Sequence, residues 1–303
     1  MPVHLPPLSR RSFLKATLAA GVAALGPGRL AAATPPVDPN RVALLSDTHV
    51  WEDRTTPYGG CVPAVTLRQA VTQVLACSPR PGHLVISGDL AHLKGLPGDY
   101  VVLRDLIAPI RAGGVAVHLV LGNHDHRANV YAAFPEAKPP GAATVVDKHV
   151  GVVRAPQADF VLLDSLNKTN VTPGLLGDAQ RAWLARTLDA PGKPAIVVAH
   201  HNPDTREKPS GLVDTPAFFE ALAPRKRAKA YVFGHTHSWS YRTQGDVHLV
   251  NVPAMAHIFN KKQPRGWLDT RLEADGATVT LRMLDTADPR HGNTKHLAWR
   301  EHA

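Results

Sequence analysis

Short aliphatic runs of strand length alternate with longer amphipathic stretches through the first half of the chain. The runs fall at residues 41–46, 83–87 and 115–121. Between the first two, residues 62–76 place Val65, Leu67, Ala70, Val71, Val74 and Leu75 at helical spacing, and residues 100–110 also read as a helix. This β-α-β-α-β order favours neighbouring strands joined by crossover helices. Residues 135–141, rich in Pro, break the pattern and read as a surface loop. Further strands are expected at 150–153, 160–163, 195–199 and 230–233, with a helix at 178–188. The last third alternates in strand fashion at 248–252, 267–272 and 277–284, which suggests a second sheet.

What ends these runs is chemically distinctive. They stop at Asp47-Thr48-His49, at Gly88-Asp89, at Gly122-Asn123-His124-Asp125, at His200-His201 and at Gly234-His235-Thr236-His237. In open α/β sheets, functional groups gather in the crevice at the carboxyl ends of strands, so a fold that brings those ends together assembles one site. Together the blocks offer carboxylate and amide oxygens and imidazoles, the donor set two adjacent divalent cations need. Asp-x-His or His-x-His alone is a weak signal, and each could be a polar turn. Five such blocks in order make a strong one. Gly88 lets backbone approach the ions closely. His83 and His118 sit inside strand runs and read as structural.

The N-terminus changes the bookkeeping. Arg10-Arg11 is followed by Phe13-Leu14-Lys15, an Ala-rich stretch and a small-residue run at 31–33. Residues 1–33 therefore read as a removable twin-arginine export signal, 34–40 as a Pro-rich linker and 41–303 as one catalytic domain. No run reaches the roughly 18–20 consecutive apolar residues of a membrane span. The formal charge of +9 includes four basic and no acidic residues in 1–33, leaving +5 for the mature chain. That surplus suits attraction of anionic esters. The basic cluster Arg225-Lys226-Arg227 lacks interleaved aromatics and reads as solvated surface, so no stable nucleic-acid or membrane partner is expected. Cys61 and Cys77 could pair after export or remain free thiols.

The series Asp47-x-His49, Gly88-Asp89, Gly122-Asn123-His124-Asp125, His200 and Gly234-His235-x-His237 resembles the calcineurin-like metallophosphoesterase family over about residues 41–255. The resemblance implies a four-layer α-β-β-α sandwich with a binuclear metal site at the strand ends. It implies one divalent ion held by Asp47, His49, Asp89 and His237, and another by Asp89, Asn123, His200 and His235. A metal-bridging hydroxide would be the nucleophile, His124 would face the substrate phosphate, and Asp125 would orient His124. The mixed ligand set suits Mn, Fe, Zn or Co without selecting among them. Purple acid phosphatases of this family carry a metal-binding Tyr where this chain has His92, so a purple iron–tyrosinate site is not expected. Gly88-Asp89-Leu90, Tyr100 and Gln180-x-x-Trp183-Leu184 are similar to the bacterial cyclic-nucleotide and glycerophosphodiester phosphodiesterase branch.

The expectation is thus an exported, periplasmic or secreted phosphodiesterase acting on a small phosphate ester and delivered by the twin-arginine machinery. A phosphomonoesterase or nucleotidase on the same site is the alternative. A non-catalytic binding protein would lack ligands that are all present here. His201, His92 and His257 are candidates for substrate contact, and specificity is expected in the loops 51–61, 92–100 and 201–214.

Overall fold

Two mixed β-sheets stack face to face, each covered on its outer side by helices, in the computed structural model of the chain. The structure describes residues 3–5, 35–137 and 145–299. Most of the expected leader, and the end of the loop expected at 135–141, lie outside these residues.

The first sheet has the order β1-β4-β3-β2-β11-β12-β13. Its strands are β1 (Val3–Leu5), β2 (Val37–Leu45), β3 (Arg80–Ser87), β4 (Ala116–Val120), β11 (Gly266–Leu272), β12 (Gly276–Met283) and β13 (Thr294–Ala298). β2, β3 and β4 run parallel, and β11 lies antiparallel beside β2. The second sheet has the order β5-β6-β7-β8-β10-β9, built from β5 (Gly151–Arg154), β6 (Asp159–Leu162), β7 (Ala195–Val198), β8 (Ala228–Phe233), β9 (Ser240–Gln244) and β10 (Val247–Asn251). Helices α1 (Pro63–Leu75), α2 (Pro97–Ala112) and α3 (Arg127–Ala133) pack on the first sheet, and α4 (Asp178–Asp189) and α5 (Thr215–Leu222) on the second.

Being covered on both faces explains the predominantly apolar runs: β4, β7 and β8 are buried at every position, His118 in β4 and Lys229 in β8 included. Along β2, Ala43 and Leu45 face the helices while Val42 and Leu44 face the second sheet. Fully burying one side chain such as Leu45 contributes about 1.5–3 kcal/mol. A buried charge pair pins β2 to β11: the Arg41 Nε and Nη2 donate to the two Asp269 oxygens at 2.7 and 2.5 Å.

Three expectations need correcting. The C-terminal strands do not form a second sheet together: β10 joins β8 in the second, while β11 and β12 extend the first. β2 begins at Val37, inside the segment read as linker. Arg225 and Arg227 are not merely solvated, because they donate to the Ala185, Thr187 and Ala190 carbonyls at the end of α4 and pair with Asp189 and Asp159. Cys61 and Cys77 are both free thiols.

Candidate metal centre

All five polar blocks meet at one end of the sandwich, each just past the carboxyl end of a parallel strand: β2, β3, β4, β7 and β8. The turns that deliver them are bent back sharply. Of the eight non-glycine residues with positive φ among the described residues, five are Asp47, His49, Asp89, His235 and His237. Such backbone costs on the order of 1–3 kcal/mol per residue and persists only where the surroundings over-determine it. Small residues make the space. A Cβ at Gly122 would land on Asp89 Oδ1, and one at Gly234 on Ser46 Oγ.

The donor atoms converge in two groups that share Asp89, and a third group joins His257 to His49 and His237. Asp47, His49, Asp89 and His237 form one, and Asp89, His200 and His235 the other, with ligand atoms inside each group within 4.8 Å of one another. Asn123 lines the same cavity, and its Oδ1 is buried without a hydrogen-bond partner among the described residues.

Backbone carbonyls decide which ring nitrogen each histidine presents. A carbonyl only accepts, so the nitrogen facing it carries the proton. His237 Nδ1 faces the His257 carbonyl at 2.7 Å, and His200 Nδ1 faces that of Ser87 at 2.8 Å, which leaves both Nε2 lone pairs bare. His235 is reversed: its Nε2 meets the Ser210 carbonyl at 2.9 Å, and its Nδ1 points at His200 Nε2, 3.3 Å away. His49 Nε2 lies 3.1 Å from His237 Nε2. Bare lone pairs aimed at one another beside carboxylates are what a cation between them satisfies, and a second ring proton held by a carbonyl is the usual support of a metal-binding imidazole. The residues therefore fit divalent metal.

The nearby carboxylates stabilise positive charge at these rings. Burial pushes His200 down, but Asp89 and Asp47 outweigh it and hold its imidazolium up to about 9. Asp47 and Asp89, which burial would push up, are held below the usual carboxylate range by His237 and His200.

His124 sits half-buried at the cavity, its backbone N–H donating to Asp89 Oδ1 at 2.9 Å and its Nδ1 2.9 Å from the Leu93 carbonyl. Asp125 does not orient it. The Asp125 carboxylate points the other way and accepts from the N–H groups of Leu90, Ala91 and Gly122 and from the Tyr100 hydroxyl. Consecutive residues of an extended turn face opposite sides, so adjacency in sequence misled. Burial, with Asp89 nearby, pushes Asp125 up to about 7 against those donors.

A cavity of about 520 Å³ opens over the cluster. His92 and His257 line it; burial pushes each down to about 4, so both are neutral rings at pH 7. His201 does not line it. It is fully buried behind His200 and His235, with Ser165 Oγ on Nδ1 and the Thr172 carbonyl on Nε2, so it has no nitrogen left for substrate. The expected loops do reach the rim, through Tyr58, Leu93, Asn202, Arg206 and Ser210, and Phe259 joins them from a loop the pattern did not single out.

The family profile of the calcineurin-like phosphoesterases matches residues 40–239. The chain belongs to that family. A twin-arginine translocation signal sequence matches residues 7–27, so the protein is exported across the membrane, to the periplasm or beyond. The chain is 28% identical over 227 residues to the 3',5'-cyclic adenosine monophosphate phosphodiesterase CpdA of Pseudomonas aeruginosa, covering 73% of this chain and 78% of that one. It is 27% identical over 226 residues to the glycerophosphodiester phosphodiesterase GpdQ of Enterobacter lignolyticus, covering 71% and 77%. Among solved structures it superimposes on a dimetal phosphatase from Danio rerio with a TM-score of 0.69 at 16% identity, covering 88% of this chain and all of that one, a likeness of fold. This metallophosphoesterase is a metal-dependent hydrolase, and its α/β sandwich is the architecture the motif series implied.

Proposed function

We propose that the exported metallophosphoesterase hydrolyses phosphodiesters at a two-cation centre. Asp47, His49, Asp89 and His237 would hold one ion and Asp89, Asn123, His200 and His235 the other, with Asp89 common to both. The observation that carries this reading is the convergence of bare imidazole nitrogens and two carboxylates in two groups sharing one carboxylate, with an unpartnered amide oxygen in the same cavity. Divalent cations so held supply Lewis acidity toward phosphoryl oxygens and a nucleophilic water at neutral pH.

The chain's own residues do the rest. His124 keeps its Nδ1 proton on the Leu93 carbonyl, which turns Nε2 toward the cavity. As an imidazolium it neutralises charge growing on the phosphoryl group and passes its Nε2 proton to the departing oxygen. The His124 N–H on Asp89 Oδ1 couples that ring's position to the shared ligand. Asp125 binds the turn carrying Asp89 to the turn carrying Asn123, so it sets the spacing of the two groups.

The test is hydrolysis of bis(p-nitrophenyl) phosphate beside p-nitrophenyl phosphate by manganese-reconstituted mature protein, with Asn123→Ala in parallel. Diester turnover that exceeds monoester turnover and collapses in Asn123→Ala is the expected result. Preferential monoester turnover would make the protein a phosphatase. No turnover of either with Mn, Fe, Zn or Co would refute the catalytic reading.

A further inference from the structure

The two ends of the cavity are chemically unlike. On the side of Asp47, His49 and His237 the wall is aromatic. The Phe259 ring stacks on His237 at 4.4 Å between centroids, and Tyr58 stands edge-on to His257 at 4.6 Å and to His92 at 4.7 Å. Phe259 is 72% exposed and Tyr58 38%, and they are the two most exposed aromatic rings among the described residues. Folding gains little from leaving a Phe so bare, and both such rings stand on one rim of one cavity. Among the described residues no Lys or Arg side chain lines this end of the cavity.

The opposite end, beyond His235, holds a guanidinium. Arg206 lies on the rim with its side chain 65% exposed. Its Nε and Nη2 are fixed on the two Asp204 oxygens at 2.9 and 2.6 Å, and Nη2 also reaches Ser210 Oγ at 2.7 Å. Asp204 is itself anchored by the N–H groups of Ser210 and Gly211. No hydrogen bond engages Nη1 among the described residues. A guanidinium clamped along one edge keeps the other free, in a set orientation and at little further cost in side-chain entropy. Contacts run unbroken across the site: Phe259 on His237, the ligand cluster, His235 on the Ser210 carbonyl, and Ser210 on Arg206.

We infer that the preferred substrate is an open-chain phosphodiester with two unlike arms, one ending in a nucleobase or similar planar ring held by Tyr58 and Phe259, the other carrying a further phosphate or carboxylate for Arg206. The inference rests on the phosphodiesterase reading for the bond that breaks. Water adds to phosphorus, the P–O bond to one arm breaks, and the departing alcohol oxygen takes the proton. A cyclic mononucleotide has a planar ring but no second anionic group, so it satisfies only one end of the cavity. Stacking of one base on an aromatic side chain should raise kcat/KM by about 5- to 150-fold. A rim guanidinium already shared with a carboxylate contributes at the low end of a charge-assisted hydrogen bond, about 1.5 kcal/mol, or roughly tenfold in kcat/KM.

The experiment compares kcat/KM of the manganese-loaded enzyme for glycerophosphoethanolamine, thymidylyl-thymidine and 5'-phosphorylated thymidylyl-thymidine, and repeats it with Arg206→Ala and Phe259→Ala. In parallel, calorimetry reads binding of thymidine 3',5'-bisphosphate and thymidine to each protein, which needs no turnover. The expected order rises from the ringless diester to the dinucleotide to its phosphorylated form. Arg206→Ala should bring the ratio of the last two from about tenfold to near one, and Phe259→Ala should shrink the ratio of the first two. Equal ratios in wild type and variants, with diesters turned over, overturn the two-arm inference and leave the diesterase reading intact. No turnover of any diester, with bisphosphate binding that still depends on Arg206, sinks the diesterase reading and keeps the two-ended ligand. Neither turnover nor variant-dependent binding overturns both.

Discussion

Removing the Asp125 carboxylate separates two accounts of its work. The geometry makes it a brace: Oδ2 accepts from Leu90 N–H at 3.2 Å and Gly122 N–H at 2.8 Å, Oδ1 from Ala91 N–H at 3.2 Å and the Tyr100 hydroxyl at 3.1 Å. All of this is buried; Asp125 and Tyr100 have no exposed surface. In Asp125→Ala three backbone donors lose their acceptor, at about 1–3 kcal/mol each for a buried group left unsatisfied. Allowing for relaxation and non-additivity, the loss should be about 3–5 kcal/mol in urea unfolding of metal-free protein. Asp125→Asn keeps one acceptor oxygen and should lose about 2 kcal/mol. The decisive assay is a cycle with His124→Ala, scored by kcat/KM for bis(p-nitrophenyl) phosphate. A brace between the Asp89 and Asn123 turns acts whether or not the imidazole is present, so Asp125→Asn should cost the same factor in both backgrounds, with coupling below about 0.5 kcal/mol. If Asp125→Asn instead left stability unchanged and lost its effect once His124 was gone, the carboxylate would be orienting the ring after all. The bracing argument would then be wrong.

Two further outcomes follow from the cluster and the core. Stripping metal with a chelator should lower the melting temperature, because a cation that binds only the folded state stabilises it by about 2.7 kcal/mol at a hundredfold excess over Kd, roughly 4–5 °C for a chain of this size; differential scanning fluorimetry with an unchanged melting point would remove the ligand assignment. His149 is buried against Tyr131, far from those turns in sequence, and burial pushes it down to about 3 despite Asp164. Its folded pKa lies below the unfolded value near 6.5, so the unfolded chain binds the extra proton. Stability is therefore fully present above pH 6.5 and declines as pH falls toward 3, with a slope of up to about 1.4 kcal/mol per pH unit from this group. Urea unfolding of His149→Phe should show a shallower slope between pH 6 and 4, and an unchanged slope would refute the assignment.

How much of this was legible in the sequence divides along a physical line. Strands of both sheets announce themselves because a parallel strand covered on both faces must be apolar throughout, as 42–45, 84–86 and 195–198 are. The donors that follow them are equally visible, since a strand end is where side chains can converge on solvent. Which sheet a strand joins was not visible: the alternation along 267–272 and 277–284 reports that one face is buried, and nothing in it distinguishes pairing with β2 from pairing with β10. Helices α3 and α5 are one or two turns long, too short to develop a period, and escaped notice for that reason. At the site the same limit recurs at finer scale. The chemistry of the candidate metal ligands is written into residue type, whereas direction is not, so Asp125 beside His124 and His201 beside His200 each read as partners of the reacting groups. Both proved to face backwards, and each has its polar atoms satisfied in the layer behind the ligands. That layer explains why the three strained turns carrying Asp47 and His49, Asp89, and His235 and His237 can hold their positions: the carbonyls of Ser87, His257 and Ser210 and the carboxylate of Asp125 fix ring and backbone from behind. The rim is held in another way. Tyr58, Arg206 and Phe259 stand on irregular loops where neither period nor burial speaks, so only the folded chain brings Phe259 onto His237 and Arg206 onto Asp204 at one cavity.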